Sequence, residues 1–520
     1  MPFPCTIILP AEIAINSLEF QQSIANKLGI EPTTIQHIQV QKSSIDARKK
    51  AIKRNFQVLV YQHHETIDNP QYTPPIYTNV ESKTPILIVG AGPAGLFAAL
   101  KVIELGYKPI VIERGKMVQQ RRRDLANLTK NHVLNPDSNY CFGEGGAGTY
   151  SDGKLYTRSN KRGDIQSILT LFCQHGAATN ILVESHPHIG TNKLPKIIEN
   201  IRHTILQYGG EIHFETKLLQ FILENQTIKG IVTNKGTIES DRVILATGHS
   251  ARDVYHLLHQ QNIAIEAKPF ALGVRIEHPQ PIIDAMQYHL SPSSIRPEYL
   301  PAAPYSIVNQ VEGRGVYSFC MCPGGIIAPC STEEGLVVTN GWSPSKRDSA
   351  FANSGLVTEI RLEDMKEYAQ YGELAGIYFQ QEIERKACIS AGGTQAAPAQ
   401  RLMDFIHNKK SATLPICSYI PGIHSVEIKE VLPSFVTKSL RQGLLHFTKT
   451  LKGYATNEAV LVATESRTSS PVRIPRDKIT LQHTQIKGLY PCAEGAGYAG
   501  GIVSAAIDGQ HCAVAAVSQS

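Results

Sequence analysis

The sequence predicts an α/β protein: a Rossmann-like parallel sheet, a mixed α+β block inserted into it, and a small α+β domain ahead of it. Three observations predict this. Residues 85–115, PILIVGAGPAGLFAALKVIELGYKPIVIERG, run strand, glycine turn, helix, strand. A second strand, glycine-rich turn and Ala-rich helix returns in GLYPCAEGAGYAGGIVSAAIDGQHCAVAAV. Between the two, after Gln260, the chain turns to proline-rich turns and mixed strands.

At 520 residues the chain exceeds one compact core, which predicts two or three domains. Hydrophobic residues at 42% and charged residues at 18% are those of an ordinary globular protein and argue against disorder. A net charge of +6 suits anionic ligands without demanding nucleic acid. The start, MPFPCTIILPAEIAIN, lacks the pattern of a signal peptide, and no uncharged apolar run of about 18 residues follows. A cytoplasmic location without a membrane partner is therefore expected. Ten cysteines are scattered with no CxxC pair, which argues against a disulfide scaffold or a zinc ribbon. Cys320 and Cys322 in FCMCPGG read as reduced thiols; a redox couple, or a metal site shared with Cys330, is the alternative. Zinc wants four converging ligands, so no metal is expected.

Residues 1–80 read as the small N-terminal domain, with strands CTIILP and FQVLVYQ and a helix SLEFQQSIANKLGI. Arg48, Lys49, Lys50, Lys53 and Arg54 cluster in SSIDARKKAIKRN. A solvated charged face is the ordinary reading of such a run, and RNA or another polyanion the alternative. DNPQYTPPIYTNVESKTP reads as a linker. Residues 83–260 and 454–520 read as the sheet domain, and 261–453 as the inserted substrate or cap domain. Within the sheet domain, Leu194–Tyr208 is a helix. EIHFET, LLQFILE, TIKGIVTN and GTIES are short antiparallel strands, followed by the buried strand DRVILATG. The insert is expected to hold helices near 358–388 and 434–451.

The chemistry starts at Gly90, Gly92 and Gly95, a GxGxxG at a strand-to-helix turn. Gly90 allows the turn, Gly92 lets backbone N–H groups approach a pyrophosphate, and Gly95 lets the helix pack on its strand. Pro93 and Ala94 open that helix, where a proline costs no hydrogen bond and free N–H groups favour phosphate. Glu113 ends the second strand, placed to bind a ribose diol and to disfavour a 2′-phosphate, with Arg114 next to it. Gly143, Gly145, Gly146 and Gly148 repeat the glycine spacing without strand or helix context. Gly495, Gly497 and Gly500, followed by Gly501 and Ile502, have the strand and helix, yet no acid follows about 20 residues later. A second complete nucleotide site is not supported. One extended cofactor touched by all three loops is the simpler reading, and that suits FAD better than NAD. Thr247-Gly248 ends another strand near it. Glu494 is placed for ribityl hydroxyls, with helix N–H groups facing the flavin pyrimidine.

These FAD parts resemble flavoproteins of the glutathione reductase superfamily, particularly the branch with one dinucleotide fold and an inserted substrate domain, such as p-hydroxybenzoate hydroxylase. More narrowly, SNYCFGEGGAGTYSDGKL, HPHIGTNKL, ATGHSARD, KPFALGVRIEHP, YSFCMCPGG, ESRTSSPVRIPRD and YPCAEGAGYAGGI resemble bacterial FAD-dependent dehydrogenases labelled "NAD(FAD)-utilising dehydrogenase". The likeness runs from SIDARKK through nearly the whole chain. It implies an FAD-binding oxidoreductase and supplies no substrate.

A flavin carries out the redox step, so the protein has only to place a small-molecule substrate and move protons. The candidates are His249 and Arg252 in TGHSARD, Arg275, Glu277 and His278 in GVRIEHP, and Glu465, Arg467 and Arg473 in ESRTSSPVR. His249 leads because it follows Gly248 at a strand's carboxyl end. Arg275 and Arg467 are candidates to clamp an anionic group. Arginines and acids in such turns also form ion pairs that fix loops, which is the competing reading. NAD(P)H is a candidate transient electron donor. The alternative function is an FAD-dependent RNA-modifying or RNA-binding protein using the basic N-terminal segment.

Overall fold

The computed structural model describes residues 2–63, 65–67, 75–156, 163–291 and 294–518. Five parallel strands form a sheet in the order Leu489–Pro491, Val243–Leu245, Pro85–Val89, Lys108–Ile112, Glu211–His213. Pro85–Val89 is buried at all but its first residue, as a strand covered on both faces must be. Helices Pro93–Glu104 and Ile502–Ser518 pack against each other beside it. A Cβ on Gly509 would lie 2.1 Å from the Ala94 carbonyl oxygen, and one on Gly95 would lie 1.8 Å from that of Gly90. Only glycine permits both approaches.

Glu211–His213, expected among antiparallel strands, instead extends the parallel sheet beside Lys108–Ile112. Three residues are too few to carry a period that tells the two apart. The antiparallel unit is Leu218–Glu224, Thr227–Thr233 and Gly236–Glu239.

The insert builds a seven-stranded sheet in the order Val308–Val311, Arg314–Cys322, Phe351–Ile360, Phe270–Pro279, Val460–Glu465, Ala397–Arg401, Ile423–Ser425. Its neighbours are antiparallel except the last pair. Because Val460–Glu465 pairs inside this sheet, the insert runs past the boundary drawn at residue 454. The helix expected near 358–388 begins as strand Phe351–Ile360, and the α-helix is Ala375–Ser390. Buried between two other strands, FANSGLVTEI has no period-2 alternation to betray it. Helix Ser434–Thr450 lies where the sequence puts it.

At the N-terminal side, strands Phe3–Pro10, Lys53–Gln62 and Ile35–Asp46 pair antiparallel in that order. Ile35–Asp46 adds a strand that the sequence reading leaves out. Helix Leu18–Leu28 covers them, capped by Ser17 Oγ, which accepts the Phe20 N–H at 3.1 Å. Phe20, Ile24, Phe56 and Val60 are fully enclosed in this unit's core. The expected linker falls partly on residues 68–74, outside the described residues. No described helix is long and apolar enough to cross a membrane.

Candidate functional site

The carboxyl ends of Pro85–Val89, Lys108–Ile112 and Val243–Leu245 open onto one cavity of about 310 Å³, where open α/β sheets place ligands. Its wall contains Gly90, Gly92, Pro93, Ala94, Glu113, Arg114, Gly146, Gly148, Thr247, Gly248, Glu494, Gly495, Gly501 and Ile502. Five other glycines read from the sequence, Gly95, Gly143, Gly145, Gly497 and Gly500, stand outside that wall. Gly95 packs on Gly90, Gly143 and Gly145 donate their N–H groups to Glu113 and the Ala91 carbonyl, and Gly500 lies beside Glu494.

Glu113 is buried, and its carboxylate gathers three backbone donors: Ala91 at 2.9 Å, Gly115 at 2.9 Å and Gly143 at 3.0 Å. The first and second glycine loops are thus joined through one side chain. Arg121, fully enclosed, secures the second loop from behind. Its guanidinium donates to the carbonyls of Asn139, Tyr140, Glu144 and Gly146 at 2.7–2.9 Å. In sequence Arg121 belongs to QRRRD, which looks like a solvated charged run, so nothing local singles it out. Arg114 forms a bidentate pair with Asp253 at 2.9 and 2.7 Å and lies over the Phe142 ring at 4.3 Å.

The four expected catalytic residues divide. His249 and Arg467 line the cavity; Arg252 and Arg275 do not. Arg252 and Arg467 both bind the enclosed carboxylate of Glu384, at 2.8 Å for Arg252 and at 3.0 and 3.2 Å for Arg467. Burial pushes Glu384 up, and the two guanidiniums overcome it and hold its pKa down at about 2. Arg275 lies inside the inserted sheet, bonded to Asn353, the Cys320 carbonyl and Glu465. Burial, helped by Arg467, Arg252 and Lys268, pulls His249 down to about 3, so the ring is neutral near pH 7. Burial pushes Glu494 up to about 7 against the pull of Lys268. It raises Glu465 to about 7 as well, against Arg275. Glu277 accepts from Ser418, and the His278 ring meets the Tyr454 carbonyl, so both serve the insert's packing. Arg473 sits at 4.0 Å from Glu266 on a strand edge.

Residues 269–468 match the family model "FAD-dependent protein, C-terminal domain-like", and residues 84–255 match "Pyridine nucleotide-disulphide oxidoreductase". Residues 1–61 match a domain of unknown function. An uncharacterised protein of Clostridium beijerinckii is 41% identical over 516 residues, covering 95% of this chain and 94% of its own. The chain belongs to this family of FAD-dependent proteins. Among solved structures, the flavoprotein has likeness to CtdE in complex with FAD (TM-score 0.31, 11% identity, 84% of each chain). It also resembles glycine oxidase from Bacillus cereus (TM-score 0.30, 13% identity, 84% of this chain and 96% of that one). L-proline dehydrogenase from P. horikoshii gives 0.32 at 12% identity, over 83% and 92%.

The wall of this FAD-dependent oxidoreductase fits its cofactor. A Cβ at Gly248 or Gly501 would meet nothing within 4 Å, so bare backbone borders the cavity at both places. The insert adds wall residues that sequence reasoning missed: Phe319, Cys320, Asn340 and Gly341, with Asp152 and Lys154 from the second glycine loop's tail. Lys154 and Cys320 do stand in the motifs GTYSDGKL and FCMCPGG. None of Arg48, Lys49, Lys50, Lys53 and Arg54 is in the wall; Arg48 pairs with Asp46 at 2.6 Å on the strand before it. Cys492, Asp508 and Cys512 are near enough to share a metal ion, but Arg476 occupies the Asp508 carboxylate at 2.7 and 2.9 Å.

Proposed function

We propose that this oxidoreductase binds FAD extended along the cavity and passes a hydride or electron pair between an anionic small molecule and a second carrier. One observation supports this above the rest: the three glycine loops meet in a single cavity. FAD, when bound, supplies the redox step. The Gly90–Gly92 turn and the amino end of helix Pro93–Glu104 would hold the pyrophosphate. Glu113 keeps acceptor capacity for a ribose hydroxyl, since three N–H groups use three of about four lone-pair sites. Gly146, Gly148, Thr247, Gly248, Glu494, Gly495 and Gly501 would border the flavin end.

A smaller chamber of about 60 Å³ shares His249, Ser250, Asn340, Gly341 and Arg467 with the main cavity and is walled by Tyr140, Tyr150, Trp342 and Glu465. It is the candidate substrate pocket. Glu384 and Glu333 together balance Arg252 and Arg467, and of the two guanidiniums it is Arg467 that lines the chamber and can meet an anionic substrate group. The Thr339 hydroxyl in its wall makes no hydrogen bond within the protein and is free to accept or donate one. Neutral His249 can donate or accept a hydrogen bond, and Glu465, raised to about 7, can release a proton. NAD(P)H, lacking a strand, glycine and acid unit of its own, would bind transiently.

The test is direct. Purified protein should be yellow and release FAD, and anaerobic mixing with NADH and NADPH should bleach it. Small carboxylates should perturb the bound flavin spectrum, an effect weakened in Arg467→Ala. A colourless protein that FAD cannot reconstitute overturns the reading.

A further inference from the structure

Strand Arg314–Cys322 breaks register just where it reaches the cavity. Its pairing with Phe351–Ile360 slips between Phe319 and Cys322, and Cys320 adopts φ 47°, a left-handed conformation uncommon for a residue with a side chain. Such bulges re-aim side chains beside active sites. Here the bulge turns Cys322 back on Cys320: its thiol donates to the Cys320 carbonyl at 3.3 Å, which brings the two sulfurs near enough to act on each other. Cys320 is in the cavity wall, whereas Cys322 is fully enclosed behind it. Two cations approach them. Lys154 Nζ is 3.9 Å from Cys320 Sγ and donates to the Met321 carbonyl. Arg275 donates to the Cys320 carbonyl at 3.0 Å and lies 3.8 Å from Cys322 Sγ. The nearby acids have partners of their own: Asp152 is held by Arg347, and Glu465 is 3.3 Å from Arg275.

We propose that Cys320 and Cys322 form a reversible disulfide, a second two-electron store that exchanges with the FAD of the same cavity. The proposal rests on the flavin reading above. Residues two apart on a regular strand have Cα atoms about 6.6 Å apart, the upper end of a disulfide's reach, and here the bulge turns the Cys322 sulfur back towards Cys320. On reduction the S–S bond breaks as two electrons and one proton enter, leaving a Cys320 thiolate and a Cys322 thiol. Reduced FAD gives up those electrons and that proton and is left oxidised. Lys154 beside Cys320 stabilises the thiolate, which favours the reduced pair and makes its disulfide a ready acceptor.

Two measurements test it. Thiols counted in denaturant, before and after dithiothreitol, read the pair without reference to flavin: wild type should gain about two on reduction, and Cys320→Ser and Cys322→Ser none. Anaerobic dithionite titration of the yellow enzyme then reads the exchange, with about four electrons per flavin for wild type and about two for each variant. Should Cys320→Ser fail to hold FAD, Cys322→Ser, whose sulfur is outside the cavity wall, decides alone. Uptake of only two electrons by wild type overturns the proposal. So does uptake of four by wild type and variants alike, which would move the extra pair to other cysteines. A colourless protein defeats the flavin reading instead, and the thiol count still decides whether the pair forms.

Discussion

Glu113 accepts the backbone N–H of Gly143 at 3.0 Å, tying the acid that ends one sheet strand to a loop 30 residues further on. With Ala91 and Gly115 it satisfies three buried donors. Glu113→Ala strands all three, at a cost of about 1–3 kcal/mol for each buried donor left unpaired. The expected result is a large fall in the urea midpoint of the FAD-free protein, with Glu113→Gln in between. A Glu113→Ala protein as stable as wild type would refute the tie.

Gly92 has ordinary backbone geometry at φ −75°, and a Cβ there would meet only the Gly146 Cα at 4.0 Å. Gly92→Ala should therefore fold normally yet obstruct a ligand's approach, and Gly92→Trp should abolish flavin binding. Saturating FAD at about 100 times its Kd should stabilise wild type by about 2.7 kcal/mol. Thermal melts with and without FAD check this: Gly92→Ala should match wild type without FAD and gain less with it.

Glu384 binds two arginines, and its removal leaves two buried cations without their shared partner. Glu384→Ala should lose about 3–5 kcal/mol. Its folded pKa of about 2 is below the ordinary 4.5. In that window the unfolded chain holds more protons, so the contribution is complete above pH 4.5 and declines as pH falls towards 2. Denaturation midpoints measured from pH 5 down to pH 3 should converge for wild type and Glu384→Gln. Parallel curves would count against the assignment.

Glu494 behaves in the opposite sense. Its folded pKa of about 7, above the ordinary 4.5, means that the folded protein holds the extra proton between those values. Stability therefore declines as pH rises from 4.5 to 7. Without FAD, Glu494→Gln should overtake wild type in melting temperature between pH 5 and pH 8. Identical slopes would show the carboxyl ionised throughout.

The cofactor half of the site was readable because its signals are local. Strand, Gly90, Gly92, Pro93 and Glu113 stand within one βαβ unit, each with its own steric or electrostatic reason. The smaller chamber proposed for substrate was not, since its walls come from distant segments: Tyr140 and Tyr150 meet Asn340, Trp342 and Arg467 only through tertiary packing. Arg252, Arg275 and Arg467 look alike in sequence, and only burial and partner geometry separate cavity wall from sheet interior. Strand Phe351–Ile360 escaped because enclosure on both faces erases alternation, and the boundary at residue 454 failed because Val460–Glu465 pairs backward into the insert.

The contact of Gly509 with Ala94 joins segments roughly 400 residues apart, a separation that makes this pairing slow to find. Synthesis runs from one to the other, so the Gly90–Gly92 turn emerges from the ribosome long before the helix that completes its wall. A nascent chain therefore carries half a cradle, and flavin loading becomes a late event that reports on the whole intervening insert having been made and folded.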